Sequence, residues 1–182
     1  MSFDNHTLAF LEHFVVHAPP DAMDVWYGPW NTILSSIFPS SRGYMVFPMG
    51  DKGVSGPPVP DLFIEVAKVT ITPGPDPSLL FRTVLILEIK DPQYLDHGKE
   101  ALLQQLRRET DLAFSTRGIG HIAERTAEQK LYWVGSIGSH WMYGEKEDNG
   151  QDVKPLTKWH DTTFDEFSYR DLLKLVEHVG SL

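Results

Sequence analysis

The chain has 182 residues, 41% of them hydrophobic, with no cysteine and a net charge of −9. That is enough apolar material for one sizeable core, so a single domain over residues 1–182 is expected, and disulfides and thiolate metal sites are excluded. Acids outnumber bases 25 to 16, which argues against avid non-specific binding to nucleic acid, where Lys and Arg on phosphates supply most of the affinity.

No apolar stretch approaches a membrane span, and no repeat of 20 to 50 residues is apparent. The start, Met1 to His6, lacks the basic beginning and apolar middle of a signal peptide. The expected location is therefore intracellular, in cytoplasm or nucleus, with no membrane partner.

In chain order, Thr7 to Val16 reads as a helix with Leu8, Leu11, Phe14 and Val15 as its apolar stripe, stopped by Pro19-Pro20. Asp21 to Phe38 reads as a second helical region interrupted at Gly28-Pro29, with Trp30, Ile33, Leu34 and Ile37 as its core face. Gly43 to Met49 reads as a strand, and the Gly- and Pro-rich segment Gly50 to Pro58 as a loop. A strand opening at Pro60-Asp61 continues through Leu62 to Val66, and Thr72 to Ser78 is a turn-rich connection. Phe81 to Lys90 is the next strand and Lys99 to Phe114 a helix. Lys130 to Ile137 and His140 to Tyr143 read as strands around Gly138, then Gly144 to Val153 as a polar, acidic loop. Ser168 with Asp171 resembles a capping box at the start of a last helix that buries Leu172, Leu173, Leu175, Val176 and Val179 and ends at Gly180. The pattern is that of an α+β fold, with an α/β-type core in which helices flank a small mixed sheet.

Chemistry concentrates at the end of the Phe81–Lys90 strand. A period of two puts Val84, Ile86, Glu88 and Lys90 on one face and Leu85, Leu87 and Ile89 on the other. A carboxylate and an ammonium closing an otherwise apolar strand need partners or a wet cleft, because burying either charge alone is costly. The spacing suits a metal site in which Glu88 ligates a divalent ion, the Ile89 backbone carbonyl adds a ligand, and Lys90 sits near an attacking water. Asp61 would supply the second carboxylate if its strand pairs antiparallel with the Glu88 strand.

Pro60-Asp61, a long gap, then Glu88-Ile89-Lys90 resembles the PD-(D/E)xK nuclease superfamily, and more narrowly the PD-(D/E)xK-like domains of fungal proteomes. The resemblance runs from about Trp30 to Val179 and includes the Gln105-Leu106-Arg107 helix and the stretch Leu131 to Trp141. Leu102-Leu103 stands where Ala-Asp would be expected ahead of the glutamine. The resemblance implies a restriction-endonuclease-like fold. It also implies a metal-dependent nuclease hydrolysing phosphodiester bonds of DNA or RNA, with Asp61 and Glu88 holding Mg²⁺ or Mn²⁺. Lys90 would then position water and stabilise charge in the transition state, and Gln105 would orient water or phosphate. Arg107, Arg108, Arg117 and Arg125, on or after a helix expected to face the site, would offer phosphate contacts.

Each reading has a plainer counterpart. Glu88 and Lys90 could form a salt bridge at the sheet rim, and Gln105 could be an ordinary exposed helix position. Glu12, a possible extra acid, fits a solvated face better. His13 and His17 have zinc-like spacing but no third ligand, and read as surface histidines. The Gly135 to His140 segment is not Gly-x-Ser-x-Gly and reads as a tight hairpin. The five tryptophans read as packing residues. The rival to a nuclease is a catalytically inactive module of the same fold, mediating homodimer or other protein contacts through its acidic surface.

Overall fold

The computed structural model describes residues 3–17, 24–49, 62–73, 78–115, 130–148 and 152–182. Helix α1 (Asn5–His17) starts where Asp4 Oδ1 accepts the backbone N–H groups of His6 and Thr7, both at 3.0 Å. Its Leu11 is buried, and Leu8 and Phe10 lean on the same core. Helix α2 (Tyr27–Ile37) begins one residue before Gly28-Pro29, so the expected change of helix falls just ahead of that pair. A 3₁₀ turn over Asp24–Trp26 feeds it, and Pro29 falls in the first turn, where a missing N–H forfeits no helical bond. Trp30, Ile33, Leu34 and Ile37 are buried as the spacing predicts.

Strands β1 (Tyr44–Met49), β2 (Leu62–Thr72) and β3 (Ser78–Lys90) form an antiparallel meander. Next come helix α3 (Lys99–Ser115), β4 (Lys130–Ile137), β5 (His140–Glu147), the two-residue β6 (Lys154–Pro155) and α4 (Glu166–Gly180). The strands lie in the order β1-β2-β3-β4-β5-β6, and only the β3–β4 pair is parallel. A parallel pair needs a crossover between its strands, and α3 lies in that connection, packed on β3 and β4. The architecture is α+β, with four helices against a six-stranded mixed sheet among the described residues. None of those helices is long and apolar enough to cross a membrane.

Alternation along the strands divides the interior in two. One face carries the larger core, where Leu85, Leu87 and Ile89 of β3 and Trp141 and Tyr143 of β5 meet α1, α2 and α4. The opposite face lies under α3, where Leu102 and Leu106 meet Trp133, Ile137 and Met142, and Phe63, Ile86 and Leu131 meet Ala113 and Phe114. A register shift between Val66 and Ala67 modifies the expected phase of β3. Val66 pairs with Leu85 and Ala67 with Thr83, so Val84 is the extra residue of a bulge. It joins the core of Leu85 and Leu87 rather than the face of Ile86 and Glu88.

Two further features depart from expectation. Strand β5 continues to Glu147 through residues expected to be loop, because its charges find partners. Glu145 sits 3.1 Å from both Lys130 and Lys154, and Lys146 reaches Asp111 on α3. The cap of α4 is Asp165, whose side chain accepts the Ser168 N–H at 2.6 Å, while Ser168 itself lies buried within the helix. The β4–β5 turn is the tight hairpin expected. Gly138 holds φ +60°, and its N–H donates to the Lys90 carbonyl at 3.1 Å. A Cβ there would come within 2.9 Å of Pro92, so the turn and the end of β3 are fitted to each other by the absence of a side chain.

Candidate functional site

Glu88 lies one residue from the end of β3's apolar run, on the α3 side of the sheet, with no exposed surface. It is not at a rim, since β2 and β4 flank it and place Phe63 and Gly135 directly opposite. Lys90, two residues on and on the same face, brings Nζ to 3.5 Å from Glu88 Oε1, with its own side chain 12% exposed. Ile89 points the other way into the larger core, as the alternation predicts.

Gly135 explains how α3 comes so close. A Cβ at this position would sit 2.9 Å from Leu102 Cδ2 and 3.1 Å from Leu106 Cδ1, so the helix rests on bare backbone beside Glu88. Leu102-Leu103, the departure noted in the sequence, thus supplies a packing residue at its first position. Gln105 lies between Leu102 and Leu106 on that inward face and is 4% exposed, so it is not the exposed helix position weighed above. Carboxylate, ammonium and amide therefore share the layer between sheet and helix.

Arg107 and Arg108 do not face this layer. Arg108 is exposed, and Arg107 is engaged outside α3 by Asp152, with Nη2 donating to Oδ2 at 2.7 Å. That hydrogen bonding holds the Asp152 carboxyl below its ordinary range. Arg117, Arg125 and Asp61 lie outside the described residues, and so does the Gly50 to Pro58 segment. The β2–β3 pairing is antiparallel as expected, with Leu62 opposite Ile89. No group of three or more His, Asp or Glu residues is arranged to hold a metal among the described residues.

The plainer readings hold elsewhere. Glu12 is exposed; His13 and His17 are exposed and stack at 4.3 Å. The Ser136 hydroxyl is a buried relay, accepting from Trp30 Nε1 and donating to the Gly138 carbonyl, both at 2.8 Å. Trp30, Trp133 and Trp141 are fully buried packing residues.

A second cluster was missed in the sequence. His160 Nε2 lies 3.1 Å from Asp171 Oδ2, and Lys174 Nζ lies 2.6 Å from Asp171 Oδ1. The positions 171, 174 and 178 form one stripe on α4, a three-and-four spacing that could have signalled them. Reading Asp171 as part of a cap concealed that stripe. Comparison with family models, with curated proteins and with solved structures returned no match to this chain.

Proposed function

We propose that this protein is a metal-dependent phosphodiesterase acting on nucleic acid, with Glu88 and Lys90 at its centre. The observation that carries the reading is a carboxylate without exposed surface on a central strand, 3.5 Å from the ammonium of a lysine that keeps some exposure. A buried ion pair is weak support for stability, since apolar residues of similar volume often serve a fold as well or better. Its presence between sheet and helix, in the layer that also buries Gln105 of α3, suits a site more than a core. Asp61, Glu88 and the Ile89 carbonyl would hold Mg²⁺ or Mn²⁺, which acidifies water and neutralises charge developing on phosphate. Lys90 would orient the attacking water and stabilise the transition state, and Gln105 would position water or a phosphate oxygen.

One observation favours the non-catalytic alternative. The chain carries a net charge of −9, and Arg107 is committed to Asp152. Such a surface repels phosphate backbones and suits a protein partner.

A cleavage assay separates the two. Supercoiled DNA, linear duplex, single-stranded DNA and RNA are incubated with Mg²⁺ or Mn²⁺, with and without chelator. The nuclease reading expects metal-dependent cleavage that disappears with chelator and in a folded Glu88→Gln variant. Absence of cleavage on every substrate, or chelator-resistant cleavage that survives Glu88→Gln, overturns it.

A further inference from the structure

We infer that the cleft between β5 and α4, on the sheet face opposite Glu88, binds a small phosphate-bearing molecule with a planar ring. The cleft has a volume of about 440 Å³, within the range of small-ligand sites. Its floor is Tyr143. The segment through Lys158 and His160 forms one wall, and Asp171, Lys174 and His178 of α4 form the other.

His160 and Lys174 are held in place before any ligand arrives. The His160 ring stacks on Trp141 at 4.5 Å between centroids with planes 13° apart. Trp141 is itself pinned by its Nε1–H to the Thr162 carbonyl at 2.9 Å. The backbones of Trp141 and His160 exchange both hydrogen bonds, at 2.7 and 3.1 Å, which fixes the imidazole at its root. Asp171 sets the other end, with one oxygen near His160 Nε2 and the other on Lys174. One carboxylate thus fixes the spacing of an imidazole and an ammonium. His178 stacks on Tyr132 with ring centroids 5.7 Å apart. Such preorganisation lowers the ordering cost that a ligand would otherwise meet.

Charge and shape select the ligand class. Among the residues that line the cleft, two ammonium groups, Lys158 and Lys174, stand against one carboxylate, Asp171, on a chain whose overall charge is −9. They offer an anion two contacts, and lysines bind phosphate as point charges. The rings of Tyr143, Trp159 and His178 line the same space, which favours a flat partner over a bare inorganic ion. A mononucleotide has both parts. The inference does not depend on the Glu88 site, because Tyr143 and Glu88 face opposite sides of the sheet.

Titration calorimetry with adenosine 5′-monophosphate, inorganic phosphate and adenosine tests it. The nucleotide should bind at least tenfold more tightly than either fragment. Lys158→Ala and Lys174→Ala should each weaken it about tenfold, equivalent to about 1.4 kcal/mol. Both side chains are exposed, so the variants should fold, and unchanged melting curves would establish that. Arg108→Ala, removing an exposed cation under the other face, should leave binding unaltered. No heat from the nucleotide at millimolar concentration overturns the inference, as does binding that Arg108→Ala weakens as much as the cleft variants do. Inorganic phosphate binding as tightly as the nucleotide would overturn the ring-binding part.

Discussion

Glu88 and Lys90 meet at 3.5 Å across one face of a central strand, the carboxylate closed from solvent and the lysine 12% exposed. Two charges removed from water at this spacing are coupled, and neither is easily changed alone. Removing one partner of a buried pair typically costs about 3–5 kcal/mol, whereas replacing both by apolar residues is often neutral or better. Lys90→Met should therefore lower the unfolding free energy by about 3–5 kcal/mol in metal-free buffer. The double variant Glu88→Leu/Lys90→Met should recover most of that loss. Urea unfolding of the two single variants and the double, read as a cycle, measures the coupling. Strictly additive losses would show that the pair does not act as a unit.

The apolar run of β3, the helix after Lys90 and the buried stripe of α4 were legible because each obeys a local period. What escaped the period depends on residues far away in the chain. The bulge at Val84 exists only in register with Val66 and Ala67 of β2. The continuation of β5 into Glu145 and Lys146 depends on Lys130, Lys154 and Asp111, without which those residues look like a solvated loop. For the candidate site, spacing placed Glu88 and Lys90 together correctly. It could not show how deeply the carboxylate is buried, which comes from α3 settling on Gly135. The His160–Asp171 contact joins two segments with no common pattern, so it became visible only in three dimensions.

Two glycines should respond to alanine in opposite directions. At Gly144 a Cβ would lie 2.2 Å from the Lys154 carbonyl oxygen and 2.3 Å from Trp133 Cζ2, with backbone on one side and a fully buried indole on the other. Neither can retreat without parting β5 from β6 or displacing the core under α3. Gly144→Ala should cost at least about 3 kcal/mol, the upper end for overpacked interiors. At Gly180, the last residue of α4, nothing outside its chain neighbours and its own helix lies within 4 Å of the added carbon, and φ is not positive. Gly180→Ala should stabilise by about 0.5–1 kcal/mol through reduced freedom of the unfolded chain. Thermal melts of both variants check the pair of signs.

Ser136 joins α2 to the turn that closes on Lys90. Its hydroxyl accepts from Trp30 Nε1 and donates to the Gly138 carbonyl, and Gly138 in turn donates its N–H to the Lys90 carbonyl. Ser136→Ala leaves the Trp30 N–H buried without its acceptor, at a cost of about 1–3 kcal/mol. Trp30→Phe in the same background removes the stranded donor, so the double variant should lose less than the sum of the two single losses. If Ser136 were instead a nucleophile, Ser136→Ala would abolish any hydrolysis while leaving stability unchanged. Denaturant midpoints and the cleavage assay together distinguish these outcomes.

Alkaline stability should report on Tyr143. Burial pushes its phenol up to about 12, and the negative charge of Asp171 adds to the effect, with Tyr132 and Glu177 contributing further. In the unfolded chain the same group ionises near 10. Between these values the unfolded state releases a proton that the folded state retains, so the unfolded state binds fewer protons and folding stability falls as pH rises. The contribution is fully present below pH 10 and is lost progressively toward about pH 12. Tyr143→Phe removes this titration and should flatten the decline in urea midpoint between pH 10 and 11.5, a window inside the one these values set. Phenolate absorbance near 295 nm follows the ionisation directly on the ordinary tyrosine range. In the native protein the step lost in Tyr143→Phe should be the late one, together with that of Tyr132, which burial also raises. A Tyr143→Phe protein whose stability falls with pH as steeply as wild type would show that this phenol is not protected in the fold. It would also remove the fixed floor from the cleft beside α4.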